Sequence, residues 1–117
     1  MTRRIVVTGV GLVTPLACGV EASWKSLLAG NSGIKPITHF DVSDLPARIA
    51  GVVPRGEGEH EFSADKWVAP KEQKKMDDFI VFAVAAATQA VLDSGWKPET
   101  EEEKERTGVM IGSGIGG

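Results

Sequence analysis

The chain has 117 residues, 42% hydrophobic and 25% charged, values ordinary for a globular protein and against disorder, a collagen-like repeat or a coiled coil. Thirteen Lys and Arg against sixteen Asp and Glu leave a net charge of −3, so no global basic field awaits nucleic acid. The one cysteine, Cys18, cannot close an internal disulfide, which excludes a disulfide-stapled secreted domain and fits a reducing compartment.

The N-terminus imitates an export signal. Arg3 and Arg4 precede a mostly apolar stretch, and Leu16-Ala17-Cys18-Gly19 resembles a lipoprotein cleavage site. Thr8, Gly9, Gly11, Thr14 and Pro15 make that stretch a poor signal helix, so a cytoplasmic protein is expected. Arg4 to Val10 reads as a strand. Its consecutive β-branched residues Ile5, Val6 and Val7 suit a strand covered on both faces, as in a parallel sheet. Gly9 and Gly11 close it, and Thr14-Pro15 opens a loop.

Glu21 to Ala29 is predicted helical. Val20, Trp24, Leu27 and Leu28 recur on one stripe, expected to face a core, and Gly30 supplies the stop. Gly33 to Leu45 is expected to be irregular, Ala47 to Val53 a second strand ended by Pro54, and Arg55 to His60 an exposed loop. A second helix is predicted over at least Met76 to Ser94, with a start as early as Lys71, just after Pro70. Asp77 and Asp78 sit early in it, where the helix dipole favours anions, and Gly95 follows its end. Phe79 to Ala87 is apolar all round, so this helix must be enclosed on most sides, and its alanines allow close approach of neighbours. The same apolar run is too short, at about 1.5 Å per residue, to cross about 30 Å of hydrocarbon, so no membrane association is expected. Glu99 to Arg106 is a charge run read as a solvated loop or helical turn. Thr107 to Ile111 is a further strand, running into Gly112-Ser113-Gly114-Ile115-Gly116-Gly117. Strands of parallel type and an enclosed helix ask for more packing partners than these segments supply. Residues 1–117 are therefore expected to be an incomplete N-terminal part of a larger α/β domain.

Four groups of residues suggest chemistry. Gly112, Gly114 and Gly117 fit G-x-G-x-x-G after a strand, which in a nucleotide-binding module lets the backbone approach a pyrophosphate. The bland reading is a tight turn that needs positive φ. Cys18 lies shortly before a helix start, but no spacing ties it to His39 or His60, so it reads as a small, partly buried thiol. The two histidines show no metal-ligand spacing, and no metal is expected. Ser113 lacks the glycine two residues before it that a nucleophile elbow requires, since Ile111 stands there. Lys71, Lys74 and Lys75, with Lys66 nearby, would share one helical face and form a local positive patch suited to an acidic partner, or an ordinary solvated helix start.

Arg3-Arg4-Ile5-Val6-Val7-Thr8-Gly9-Val10-Gly11-Leu12-Val13-Thr14-Pro15-Leu16 resembles the opening of the β-ketoacyl-acyl-carrier-protein synthases, the synthase II type in particular. Trp24-Lys25-Ser26-Leu27-Leu28-Ala29-Gly30-Asn31-Ser32-Gly33-Ile34 matches the next segment. Lys71 to Phe79 and Gly112 to Gly117 match two more, all in the right order. The resemblance implies an α/β thiolase-like fold of five layers, α-β-α-β-α, with the second helix in the central layer. It implies a homodimer that condenses acyl and malonyl thioesters on acyl carrier protein in fatty-acid biosynthesis, without a cofactor. It implies that the nucleophilic cysteine and two histidines lie beyond Gly117, so no residue here, Cys18 included, is catalytic. What it carries onto this chain is Ile115, at a position lining the acyl pocket near the dimer interface, and Lys71, Lys74 and Lys75 as a surface for the carrier protein. A nucleotide-binding module or a non-catalytic ketosynthase-like partner subunit stand as alternatives.

Overall fold

In the computed structural model, which describes residues 2–117, the chain divides into two units. One is Leu12–Ser63; the other joins the residues up to Gly11 to Ala64–Gly117.

The unit Leu12–Ser63 is organised by Thr14. Its hydroxyl accepts the backbone N–H groups of Leu16 and Ala17, each at 3.1 Å, and folds the Pro15 segment into a tight turn. Helix α1, Val20–Leu28, follows, and the left-handed Gly30 ends it as expected. The helix does not bury the stripe read from its periodicity. Trp24, Leu27 and Leu28 remain exposed, and the buried residue is Ser23. The reason is polar: Ser23 Oγ lies 2.9 Å from Thr14 Oγ1 and donates to the Ala17 carbonyl at 3.1 Å, which turns this face of α1 inward. The apolar stripe flanks an open groove of about 480 Å³ instead, with Leu12, Leu16 and Ile34 on its other walls.

Strand β1, Ile34–Pro36, lies inside the stretch expected to be irregular, and pairs antiparallel with β2, Ile49–Gly51. β2 is the short remnant of the strand expected over Ala47 to Val53. Glycine makes room here: a Cβ at Gly33 would meet the Pro15 ring at 2.7 Å. Arg48 holds the intervening loop by donating to the carbonyls of Leu45 and Ser43. Arg55 to His60 is a loop, as expected, anchored behind by the buried Phe62, whose N–H reaches the Pro54 carbonyl at 2.7 Å.

The other unit is built on α3, Asp78–Ser94. Val81 and Ala85 are its buried residues, and the left-handed Gly95 ends it at the predicted place. Gly9 and Gly11 run against its second half. A Cβ on Gly11 would collide with the Ala86 carbonyl and come within 2.8 Å of the Ala90 nitrogen, and one on Gly9 would collide with Ala90 and Ser94. The Val10 N–H between them donates to Asp93 Oδ2 at 3.0 Å. The glycines that seemed to end a strand therefore serve a backbone-to-helix contact.

Three expectations need correction. The segments Arg4 to Val10 and Thr107 to Ile111 form no strand among the described residues, and the parallel sheet they implied is not formed there; the paired strands β1 and β2 are antiparallel. β-propensity specifies a strand only where a partner completes the ladder. Without one, Ile5 is 94% and Met110 96% exposed. The second helix, expected over at least Met76 to Ser94 with a start as early as Lys71, is shorter and does not reach back to Lys71: α2, Pro70–Gln73, ends before a turn at Lys74 and Lys75, and α3 starts afresh after Asp77, leaving Met76 outside it. Asp77 takes extended angles as N-cap, a position short polar side chains favour over helix interior. The glycines of 112–117 carry no positive φ, so their turn does not need the conformational freedom first assigned to it.

The charge run Glu99 to Arg106 forms a helical turn, α4, Glu101–Glu105. Thr100 Oγ1 accepts the Glu103 N–H, and Glu103 Oε2 accepts the N–H groups of Glu99 and Thr100 at 2.8 and 3.0 Å, a complete capping box.

Two predictions follow from these contacts. Gly11→Ala should overpack α3 and cost about 1–3 kcal/mol, read as a lower urea midpoint; an unchanged midpoint would remove the close approach from the fold. The N–H groups of Thr100 and then Glu99 hold the Glu103 carboxyl below the usual glutamate range. Its folded-state value is depressed, so the cap's contribution is present above the ordinary glutamate range and is lost as pH falls through the lowered value. Amide signals of Glu99 and Thr100 in an acid NMR titration should therefore shift below the usual glutamate midpoint, and should lose that transition in Glu103→Gln.

Candidate functional site

The residues singled out for function gather around the start of α3. Helix α2 projects from the short 3₁₀ helix Ala64–Lys66, and one side chain fixes its direction. Gln73 Nε2 donates to Asp65 Oδ1 and to the Val68 carbonyl, both at 2.7 Å. Both amide protons are thereby used, and the four-residue α2 is tied down at its C-terminal end.

The break after Gln73 changes the lysine patch. Lys71 lies on α2, Lys74 is its C-cap, and Lys75 sits in the turn, so the three do not share one continuous helical face as expected. They still lie within one corner, and all three are exposed. Lys75 Nζ is 3.5 Å from Glu72. Lys71 and Lys74 make no ion pair among the described residues.

The terminal glycine segment returns to the same end of α3. A Cβ on Gly116 would meet the Phe79 ring at 3.4 Å, and Gly117 leaves no room for one against the Asp77 side chain. Ser113 Oγ donates to the Ile115 carbonyl at 3.1 Å and closes the turn. Ile115 itself is 91% exposed. Phe79, Ile80, Ala83, Val84, Ala87, Val109 and Ile111 line an apolar groove of about 390 Å³ that Ser113 borders and Ile115 does not.

The other candidates lie elsewhere. The Cys18 N–H donates to the His60 carbonyl at 2.8 Å, a backbone contact across 42 positions that no spacing rule would find. The His60 ring itself lies 3.9 Å from Glu59 Oε2, and His39 stacks edge-on against Phe40. Among the described residues no three His, Cys, Asp or Glu side chains gather as a metal site would require, and no helix is long and apolar enough to cross a membrane. Glu72 and Gln73 stand within the Lys71 to Phe79 segment, but sequence reasoning assigned neither a role of its own, because their partners are set by the break in the helix.

Comparison with known proteins is consistent over the whole chain. Residues 2–117 match the family described as beta-ketoacyl synthase, N-terminal domain. The chain is 55% identical over 116 residues to the 3-oxoacyl-[acyl-carrier-protein] synthase 2 of Rhizobium meliloti (strain 1021), a match covering 98% of this chain and 28% of that protein. It is 48% identical over 115 residues to the synthase 2 of Vibrio cholerae serotype O1, covering 98% and 26%. Among solved structures it resembles the ishigamide ketosynthase/chain length factor, with a TM-score of 0.65 and 35% identity over 84% of this chain and 22% of that one. The fold is thus that of a ketosynthase N-terminal domain, thiolase-like, and the chain spans about a quarter of the length of the curated relatives it matches.

The Gln73 clamp is open to test. Gln73→Ala should cost about 1 kcal/mol of stability and quench order in α2, seen as faster amide exchange at Lys74 and Lys75 than in the parent chain. Unchanged exchange would mean that α2 is held by its backbone alone.

Proposed function

The chain belongs to the β-ketoacyl synthase family, and from that membership we propose that it serves a decarboxylative condensation that elongates an acyl chain in fatty-acid biosynthesis. The observation that carries this reading is the 55% identity, along 98% of this chain, to a 3-oxoacyl-[acyl-carrier-protein] synthase 2. In the proposed reaction a cysteine thiolate takes the acyl group from its carrier thioester and releases the carrier thiol. Malonyl carrier protein loses carbon dioxide, and the resulting carbanion attacks the acyl-cysteine thioester. The thiolate leaves, and the β-ketoacyl product stays on the carrier, two carbons longer. The nucleophile and the two histidines that assist decarboxylation are assigned outside residues 1–117, and Cys18 is given no part in the chemistry.

In this reading residues 1–117 supply scaffold, pocket and docking surface within an N-terminal portion of the catalytic domain. Helix α3 would stand in the central layer of a five-layer α-β-α-β-α arrangement, which its apolar circumference supports. Ile115 would line the acyl pocket at a homodimer interface, a reading that rests on its position in the family's Gly112 to Gly117 segment and fits an isoleucine left 91% exposed. Lys71, Lys74 and Lys75 would receive the acidic acyl carrier protein, supported by their exposure in one corner. A cytoplasmic location fits this chemistry, and the reaction needs no cofactor.

Full-length protein should form an acyl-enzyme and release carbon dioxide from malonyl carrier protein; a preparation doing neither would leave the non-catalytic partner subunit as the reading. Ile115→Phe should shorten the accepted chain. Each buried methylene is worth about 0.8 kcal/mol, so excluding two should lower kcat/KM for the longer substrate about tenfold. An unaltered chain-length profile would remove Ile115 from the pocket.

A further inference from the structure

The lysine corner is not a uniformly positive surface. Between positions 65 and 78 stand the four cations Lys66, Lys71, Lys74 and Lys75 and the four anions Asp65, Glu72, Asp77 and Asp78. The segment is formally neutral, so it cannot draw an acidic partner by net charge. Only the arrangement of the charges can do so.

The structure gives the anions different positions. The Asp65 carboxylate is bonded to Gln73 and serves to hold α2. Asp77 lies against Gly117. Glu72 is turned toward a lysine, with both carboxylate oxygens 3.5 Å from Lys75 Nζ. The three lysines are therefore unequal: Lys71 and Lys74 make no ion pair among the described residues, while Lys75 is matched by the residue three positions before it.

We propose that, on the docking surface assigned above to Lys71, Lys74 and Lys75, Glu72 limits affinity by neutralising Lys75 from within and leaves Lys71 and Lys74 as the stronger pair for the carrier protein's carboxylates. This rests on the docking reading above and assigns a role to a residue that reading leaves out. An exposed ion pair of this kind contributes little stability, so Lys75 can be drawn from Glu72 by a stronger anionic surface. The Glu72 charge stays in place when that happens and repels the incoming carboxylates over a range of about 8 Å at physiological salt. The cost falls on binding, and its size depends on ionic strength.

The test is the affinity of acyl carrier protein for the full-length protein, by fluorescence anisotropy at low and at high salt, together with kcat and KM for carrier-bound substrate. Glu72→Gln keeps the shape and removes the charge. It should tighten binding about threefold at low salt, lose that gain at high salt, and lower KM with kcat unchanged. Lys75→Gln should cost less than about twofold in the parent protein and should abolish most of the gain in the Glu72→Gln background. Lys71→Glu with Lys74→Glu should weaken binding about tenfold or more. If that double reversal leaves affinity unchanged, the docking reading itself fails. If it weakens binding while Glu72→Gln does not tighten it, or tightens it equally at high salt, docking stands and the role of Glu72 is overturned. The same holds if Lys75→Gln costs as much as Lys71→Gln in the parent protein.

Discussion

The approach of Gly9 and Gly11 to the backbone of α3 is the constraint on which the larger unit depends. A Cβ at either position would occupy space taken by helix backbone or Ser94, not by the end of a flexible side chain. The helix presents the backbone of Ala86, Ala90 and Ser94 at the contact, with the Cβ atoms of Gln89 and Ser94 beside it. Asp93 then fixes the segment along the helix by accepting the Val10 N–H. A side chain on Gly9 or Gly11 would hold the two backbones apart. Packing of this kind tolerates little change because interiors are filled to crystal-like density.

Because its second half is committed to that contact, α3 offers its first half to everything with a functional reading. The groove lined by Phe79, Ile80, Ala83, Val84 and Ala87, the glycine turn that carries Ile115, and the lysine corner all meet at its N-terminal end. The break at Lys74 to Asp77 makes this possible. A continuous helix from Lys71 would carry its lysines along one straight stripe; the turn lets α2 leave at an angle set by Gln73. Local chain geometry therefore governs how the charges are presented.

The sequence made some of this legible and hid the rest for physical reasons. Gly30 and Gly95 were readable as helix stops because left-handed backbone strongly favours glycine. The alanines of α3 were readable as a surface for close approach, although Gly9 and Gly11 could not be named as its partners, since such pairing is long-range. The burial of Ser23 ran against periodicity: an apolar stripe marks a face that can be covered, and here hydrogen bonds to Thr14 and Ala17 decide which face turns inward. The strands read at Ile5 and Val109 reported propensity correctly and pairing incorrectly, because a ladder is a property of two segments. Of the candidate site, Ile115 came from resemblance and the lysine patch from spacing and charge, with the carrier protein as its partner added by resemblance, whereas the Gln73 clamp and the Glu72 contact depend on a helix break that no pattern announces.

Electrostatics then constrains how any acidic partner can be bound. The whole chain carries a net charge of −3, and the corner itself is neutral, so attraction at long range is not available from this chain. Recognition must arise at contact distance, where the order of charges within a few ångströms outweighs their sum. A short helix pinned by one amide suits this, since a mobile α2 would average Lys71 and Lys74 with the neighbouring Glu72 and erase the difference. The same reasoning explains why an internal acid can be useful on a docking surface. In the docking proposed above, a partner that must arrive, deliver its cargo and leave would be served by modest affinity, and a carboxylate beside the third lysine would lower affinity without removing the two cations that orient the approach.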